Sequence, residues 1–196
     1  MKTSKLLSLL GVFAAAAFVA IAADAPATPA KSYTVTLSEA HVCCGSCVKT
    51  AAAAVANLKG VTAIASIDKK TIDITAPDKA TAQKAMDDLT AAGFYGKSSD
   101  AAIKVNGDTG AKNEMVSSMV VDNLHLCCGS CVKTVNAVLA DVPGYKANDA
   151  KQGAKSFTIT GNVNPTVVFA AFQKAGLTGK LGATKPAAAP APASKS

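Results

Sequence analysis

Six cysteines stand in two short clusters, Cys43-Cys44-Gly45-Ser46-Cys47 and Cys127-Cys128-Gly129-Ser130-Cys131, and nowhere else in the chain. The two histidines, His41 and His125, each lie two residues upstream of a cluster. A thiolate is a soft donor, and two of them separated by two residues can clamp one polarisable ion. Cys44 with Cys47, and Cys128 with Cys131, are the natural chelating pairs. Cys43 and Cys127 point elsewhere unless the loop folds back to bring in a third sulfur, and His41 and His125 offer a nitrogen. Two sulfurs suit Cu(I) or Hg(II), whereas three sulfurs and an imidazole suit tetrahedral Zn(II). Gly45-Ser46 can turn the chain so that Cys47 falls in a first helical turn, where unpaired amides and the helix dipole favour a thiolate. Lys49 and Lys133 stand close by in sequence as added positive charge, or as plain solvated helix residues.

Two other chemistries use the same residues. An i, i+3 pair can reach the Cα separation of roughly 4.4–6.8 Å that a disulfide needs. Three cysteines per cluster leave one over, however, and closing so short a loop removes little chain entropy. The C-x-x-C spacing is also that of thiol–disulfide oxidoreductases. Those carry one motif on a larger fold, and no Trp or Pro flanks the pairs here. No serine–histidine–acid order and no phosphate loop is visible, so the expectation is a binding protein and not an enzyme.

The elements that must hold these cysteines are written twice. His41-Val42-Cys43-Cys44-Gly45-Ser46-Cys47-Val48-Lys49-Thr50 recurs at an offset of 84 residues from His125 to Thr134, with nine of ten positions identical. Gly60 and Gly144 keep that offset, and such self-similarity indicates duplication of a complete small domain. An alternating run precedes each cluster, over 33–37 and 119–124, and predicts a strand. Residues 47–58 and 131–142 predict helices with one apolar face, ended by Gly60 and Gly144. Strands follow over 61–67 and 71–75, and over 145–150 and 156–160; the 145–150 run is unusually polar. Second helices over 78–92 and 165–175 come next, the latter opened by Asn164-Pro165. Last strands fit near 94–97 and 178–181. Strand, helix, strand, strand, helix, strand, twice over, predicts an α+β protein of two tandem ferredoxin-like βαββαβ modules.

Composition narrows the setting. All 20 basic residues are lysine, so despite a net charge of +7 the chain lacks the guanidinium forks that grip phosphate and read bases, and no nucleic acid is expected. Lys2 and Lys5, an apolar run over 6–22 and a small-residue Ala20-Ile21-Ala22 pattern read as a secretory signal peptide over residues 1–22. Export, to a periplasm or the exterior, then places a soluble mature chain in an oxidising compartment. The expected organisation is a first module over 33–98, a Gly/Asp/Asn/Lys-rich linker over 99–117, a second module over 118–183 and an Ala/Pro/Lys tail over 184–196.

These motifs resemble the heavy-metal-associated domain family, which has Met-x-Cys-x-x-Cys before the first helix and a Gly thirteen residues after the second cysteine. Cys47 to Gly60-Val61 and Cys131 to Gly144 have that spacing. The resemblance makes Cys44 and Cys128 the first cysteines of the motif and Cys47 and Cys131 the second. It implies a soft metal ion, about one per module, buffered or handed by ligand exchange to a membrane metal transporter or another thiol-bearing metal protein. The family's Met falls on Val42 and Leu126, and Cys43, Cys127, His41 and His125 are additions to its pattern. The chain is expected to be a monomer or a metal-bridged dimer, and the linker would allow one ion to be shared between both clusters.

Overall fold

A computed structural model describes residues 32–187. The expected signal peptide and the part of the expected tail beyond residue 187 lie outside the described residues. The first half runs β1 (Tyr33–Ser38), α1 (Gly45–Ala54), β2 (Thr62–Ser66), β3 (Thr71–Ala76), α2 (Lys79–Ala91), β4 (Lys97–Ser98). The second repeats the order as β5 (Val116–Asp122), α3 (Gly129–Ala140), β6 (Tyr145–Asn148), β7 (Ser156–Val163), α4 (Pro165–Lys174), β8 (Lys180–Pro186). Each half forms one antiparallel sheet, ordered β2-β3-β1-β4 and β6-β7-β5-β8, which is the ferredoxin-like arrangement.

Alternation decides which faces are buried. In β1 the side chains of Val35 and Leu37 point inward, opposite Ile72 and Ile74 of β3, while Thr36 turns outward and donates its hydroxyl to Asp73 at 2.7 Å. Helix α1 closes that core with Cys47 and Ala51, and α2 with Ala82, Ala85, Met86 and Leu89. The second module replaces alanine bulk with rings: Phe172 meets Phe157 and Phe169 edge-on, centroids 6.3 and 6.2 Å apart. The polar run at β6 does form a strand, but only four residues long and with a break in register between Tyr145 and Ala147. Its side chains explain the tolerance, because Asn148 donates to Tyr145 Oη at 2.6 Å and to Asn136 at 3.0 Å.

Element ends differ from the sequence reading where tertiary contacts take over. Helices α1 and α3 begin two residues earlier than expected, at Gly45 and Gly129, because Cys44 and Cys128 act as N-caps with extended backbone. Strand β5 begins at Val116, inside the expected linker, and β8 continues to Pro186, into the expected tail, because the two pair with each other. Strand β4 is two residues long, Lys97 and Ser98, set against Ser38 and Leu37. Among the described residues no helix is long and apolar enough to cross a membrane.

The segment between the modules is fastened to both. Ser99 N–H donates to Thr36 O at 2.8 Å, and Ile103 is fully buried. Gln83 of α2 holds Lys104 by two bonds, 2.8 Å to its carbonyl and 2.7 Å from its amide. Further on, Gln173 of α4 donates to Gly107 O at 2.7 Å and Leu181 N–H to Thr109 O at 2.7 Å. The modules also touch directly. Phe94 and Leu177 form an antiparallel bridge, Tyr95 N–H donates to Gly176 O at 3.1 Å, and Thr178 N–H donates to Gly93 O at 3.0 Å. Gly93 lies on the 123–125 backbone and Gly176 on the 39–41 backbone, so each module presents the same small-residue turn to the other's pre-cysteine loop. Docking the two halves this way brings both cysteine loops to one place.

Candidate metal centre

Each cysteine loop leaves its strand, passes a buried apolar anchor (Val42 or Leu126) and enters a helix at the capping cysteine. Val42 and Leu126, two residues before each C-x-x-C pair, are therefore core positions. Cys47 and Cys131 are fully buried on the first turns of α1 and α3, while Cys43, Cys44, Cys127 and Cys128 are half-buried. All six are free thiols.

The structure brings all eight residues singled out from the sequence to one region and makes the six sulfurs a single cluster. Within the loops, Cys44–Cys47 and Cys128–Cys131 lie 3.8 and 3.7 Å apart, and Cys43–Cys47 and Cys127–Cys131 lie 3.5 and 3.7 Å apart. Across the module boundary, Cys43 reaches Cys128 at 3.5 Å and Cys131 at 3.7 Å. Its counterpart Cys127 reaches Cys44 at 3.8 Å and Cys47 at 3.5 Å. The leading cysteines thus do what their own loop does not suggest: each turns toward the other module's pair. The histidines follow the same pattern. His125 lies with Cys47, Cys127 and Cys131, and His41 with Cys43 and Cys131, at ligand-forming separations. Both Nε2 atoms are buried without a hydrogen-bond partner, an arrangement that costs free energy unless something occupies the lone pair or proton.

Electrostatics divides the thiols into two kinds. The Cys47 and Ser46 amides at the start of α1 face the Cys44 sulfur and, outweighing partial burial, hold its pKa down to about 6. Cys128 is pushed up by burial, but the Cys131 amide and the Cys43 thiol bring it below the usual thiol range. Burial drives Cys43 and Cys127 well upward, helped by neighbouring thiols, and also raises Cys131. The strongest pull toward the thiolate form thus falls on the N-cap Cys44, one position outside the helix. Burial holds His125 down to about 4, with the His41 charge adding to the effect, and burial followed by Lys70 lowers His41. Both imidazoles are neutral at physiological pH, the form that ligates a metal.

Lys49 and Lys133 are exposed on the helices. The amine that matters near the site is Lys70, which sequence reasoning missed. From the β2–β3 turn it donates to Val42 O at 2.7 Å and so pins the first cysteine loop. Its left-handed backbone (φ 56°) left no mark in the sequence pattern. Two clefts flank the centre. One of about 490 Å³ is lined by Thr50, His125, Leu126 and Cys127, and one of about 480 Å³ by His41, Lys70 and Lys174.

One consequence is directly measurable. Under reducing conditions, iodoacetamide should alkylate Cys44 first, at a rate that rises as pH passes about 6 and then levels off, since only the thiolate attacks. Peptide mapping of singly alkylated protein checks this; preferential labelling of Cys43 or Cys127 would contradict the assigned electrostatics.

No family model matches this chain, and no curated protein matches it either. Among solved structures, the chain is similar to the N-terminal domain of PacS from Synechocystis PCC6803, at 16% identity and a TM-score of 0.31, over 34% of this chain and 97% of that one. It is also similar to the N-terminal soluble domains of Bacillus subtilis CopA, at 12% identity and a TM-score of 0.31, over 79% of this chain and 97% of that one. At such scores the ferredoxin-like assignment rests on the strand order within each module.

Proposed function

We propose that this is an exported protein that binds thiolate-seeking metal ions at the sulfur cluster between its modules and buffers them or passes them on by ligand exchange. The observation that carries the reading is the convergence of all six cysteines, from loops 84 residues apart, into one set of free thiols 3.5–3.8 Å from their neighbours. A structural disulfide framework has no need to bring an odd third thiol of each loop across a domain boundary. A soft cation does, because it offsets the mutual repulsion of clustered thiolates and the cost of burying them. The half-exposed Cys44 and Cys128, with open space over Gly45 and Gly129, provide a face where an incoming thiolate can displace an outgoing one.

The ion is cargo in this reading, and the chain turns over no substrate. Cu(I) and Hg(II) fit a cluster dominated by sulfur, and Zn(II) fits if an imidazole joins. The natural recipient is another protein with paired exposed thiols, such as a membrane metal transporter facing the same compartment. Elemental analysis of anaerobically purified protein, with thiol titration before and after acid release of metal, tests this. Bound copper, zinc or mercury that masks several thiols supports the reading. Six cysteines locked in disulfides, or catalytic reduction of an insulin-like substrate abolished by Cys44→Ser, would replace it.

A further inference from the structure

Resting on that reading of the centre as a soft-metal site, we infer that it holds two ions, each bound by three sulfurs drawn from both modules. Cys44, Cys47 and Cys127 form a closed triangle with edges of 3.8, 3.8 and 3.5 Å. Cys43, Cys128 and Cys131 form another with edges of 3.5, 3.7 and 3.7 Å. The two share no sulfur, use all six, and exchange places when the modules are exchanged. Each consists of one module's C-x-x-C pair closed by the leading cysteine of the other.

The donor set suits a three-coordinate monovalent ion, and the edges are short enough for one ion to reach all three sulfurs. With a metal–sulfur bond of about 2.3 Å, a planar three-sulfur site has edges of about 4.0 Å, so edges of 3.5–3.8 Å hold the ion about 1 Å above the sulfur plane, within bonding reach of all three sulfurs. Copper(I) is satisfied by thiolates alone at such a site, whereas zinc needs a fourth donor. The Cys43–Cys47 and Cys127–Cys131 separations, 3.5 and 3.7 Å, tie the triangles together, so the centre is one binuclear unit and not two remote sites. The histidines mark the same crossing. His125 groups with Cys47, Cys127 and Cys131 and His41 with Cys43 and Cys131, and both groups draw sulfurs from both modules. This accounts for the extra cysteine in each loop: it supplies the other module's third ligand.

The assignment differs from a module-autonomous one at a single point, which a substitution can address. In a Cys44→Ser/Cys47→Ser chain, one triangle remains, and it needs Cys43 from the first module. The own-loop alternative needs Cys127 instead. The full-length chain is loaded anaerobically with Cu(I) and challenged with a Cu(I) chelator, and X-ray absorption counts the sulfurs around copper. In that background, adding Cys43→Ser should weaken copper retention about tenfold or more beyond the effect of adding Cys127→Ser, and lower the sulfur count from three to two. In the Cys128→Ser/Cys131→Ser background the order should reverse, which guards against a local folding defect in either loop. Equal losses, or a larger loss with the own-loop cysteine, overturn the crossed assignment while leaving copper binding intact. If the wild-type chain takes up no Cu(I), the soft-metal reading fails first and this assignment fails with it.

Discussion

Saturating the reduced chain with Cu(I) should raise its thermal unfolding midpoint by about 5–10 °C. A ligand stabilises a fold only by its excess affinity for the folded state over the unfolded one. Here that excess has a specific origin. An unfolded chain keeps Cys44 beside Cys47 and Cys128 beside Cys131, so each pair still chelates an ion without the fold. It loses the sulfurs that arrive from the other module: Cys127 at 3.5 Å from Cys47, and Cys43 at 3.5 Å from Cys128. If those contacts together make folded-state binding of the two ions about 100-fold tighter, the stabilisation is about 2.7 kcal/mol. For a chain of this length each kcal/mol moves the midpoint by roughly 2–4 °C. Calorimetry of the reduced apo and loaded protein measures it. Replacing Cys43 and Cys127 together with serine should remove most of the increment while leaving copper on the C-x-x-C pairs. An increment that survives this double change would place the stabilising contacts within the modules.

Gly176→Ala should destabilise the protein by about 2–3 kcal/mol and loosen metal binding without touching any ligand. Gly176 sits in the left-handed region (φ 77°), where a side chain costs on the order of 1–3 kcal/mol. The larger problem is space. A Cβ there would lie 2.4 Å from Glu39 O and 2.5 Å from His41 N, and both are backbone atoms that cannot swing aside. The substituted turn must lift away from the loop that carries His41 and Cys43, breaking the His41 N–H to Gly176 O bond of 3.1 Å. Urea unfolding gives the stability change, and chelator competition gives the change in copper affinity. Gly110, also at positive φ (71°) but exposed and with open space around it, is the control: Gly110→Ala carries the backbone cost alone and should leave the copper affinity near wild type. Equal effects of the two on copper affinity would disconnect docking from the metal centre.

Much of this molecule could be read from local pattern. The alternation of Val35 and Leu37, the apolar spacing of Ala51 and Val55, and the Asn164-Pro165 helix start each report a backbone period or a cap, and such signals are contained in a few neighbouring residues. The doubled cysteine loop made the two-module order legible as well, because the same pattern occurs twice. Element ends were less legible. Strands β5 and β8 extend each other at Val116 and Pro186 by pairing across about 70 residues, and no local signal encodes that.

The amino-acid order alone determined which residues offer soft donor atoms and which pairs sit side by side, since C-x-x-C spacing at a helix start dictates both. Only the tertiary structure decided which sulfurs of the two loops meet and which of them the helix-start amides favour as a thiolate. Those properties depend on distances between loops 84 residues apart, set by two glycine turns, a linker fastened to α2, α4 and β8, and amide groups aimed at Cys44. The approach of Cys43 and Cys127 to the other module's pairs is a product of docking, and docking is a sum of contacts that no short stretch of sequence contains.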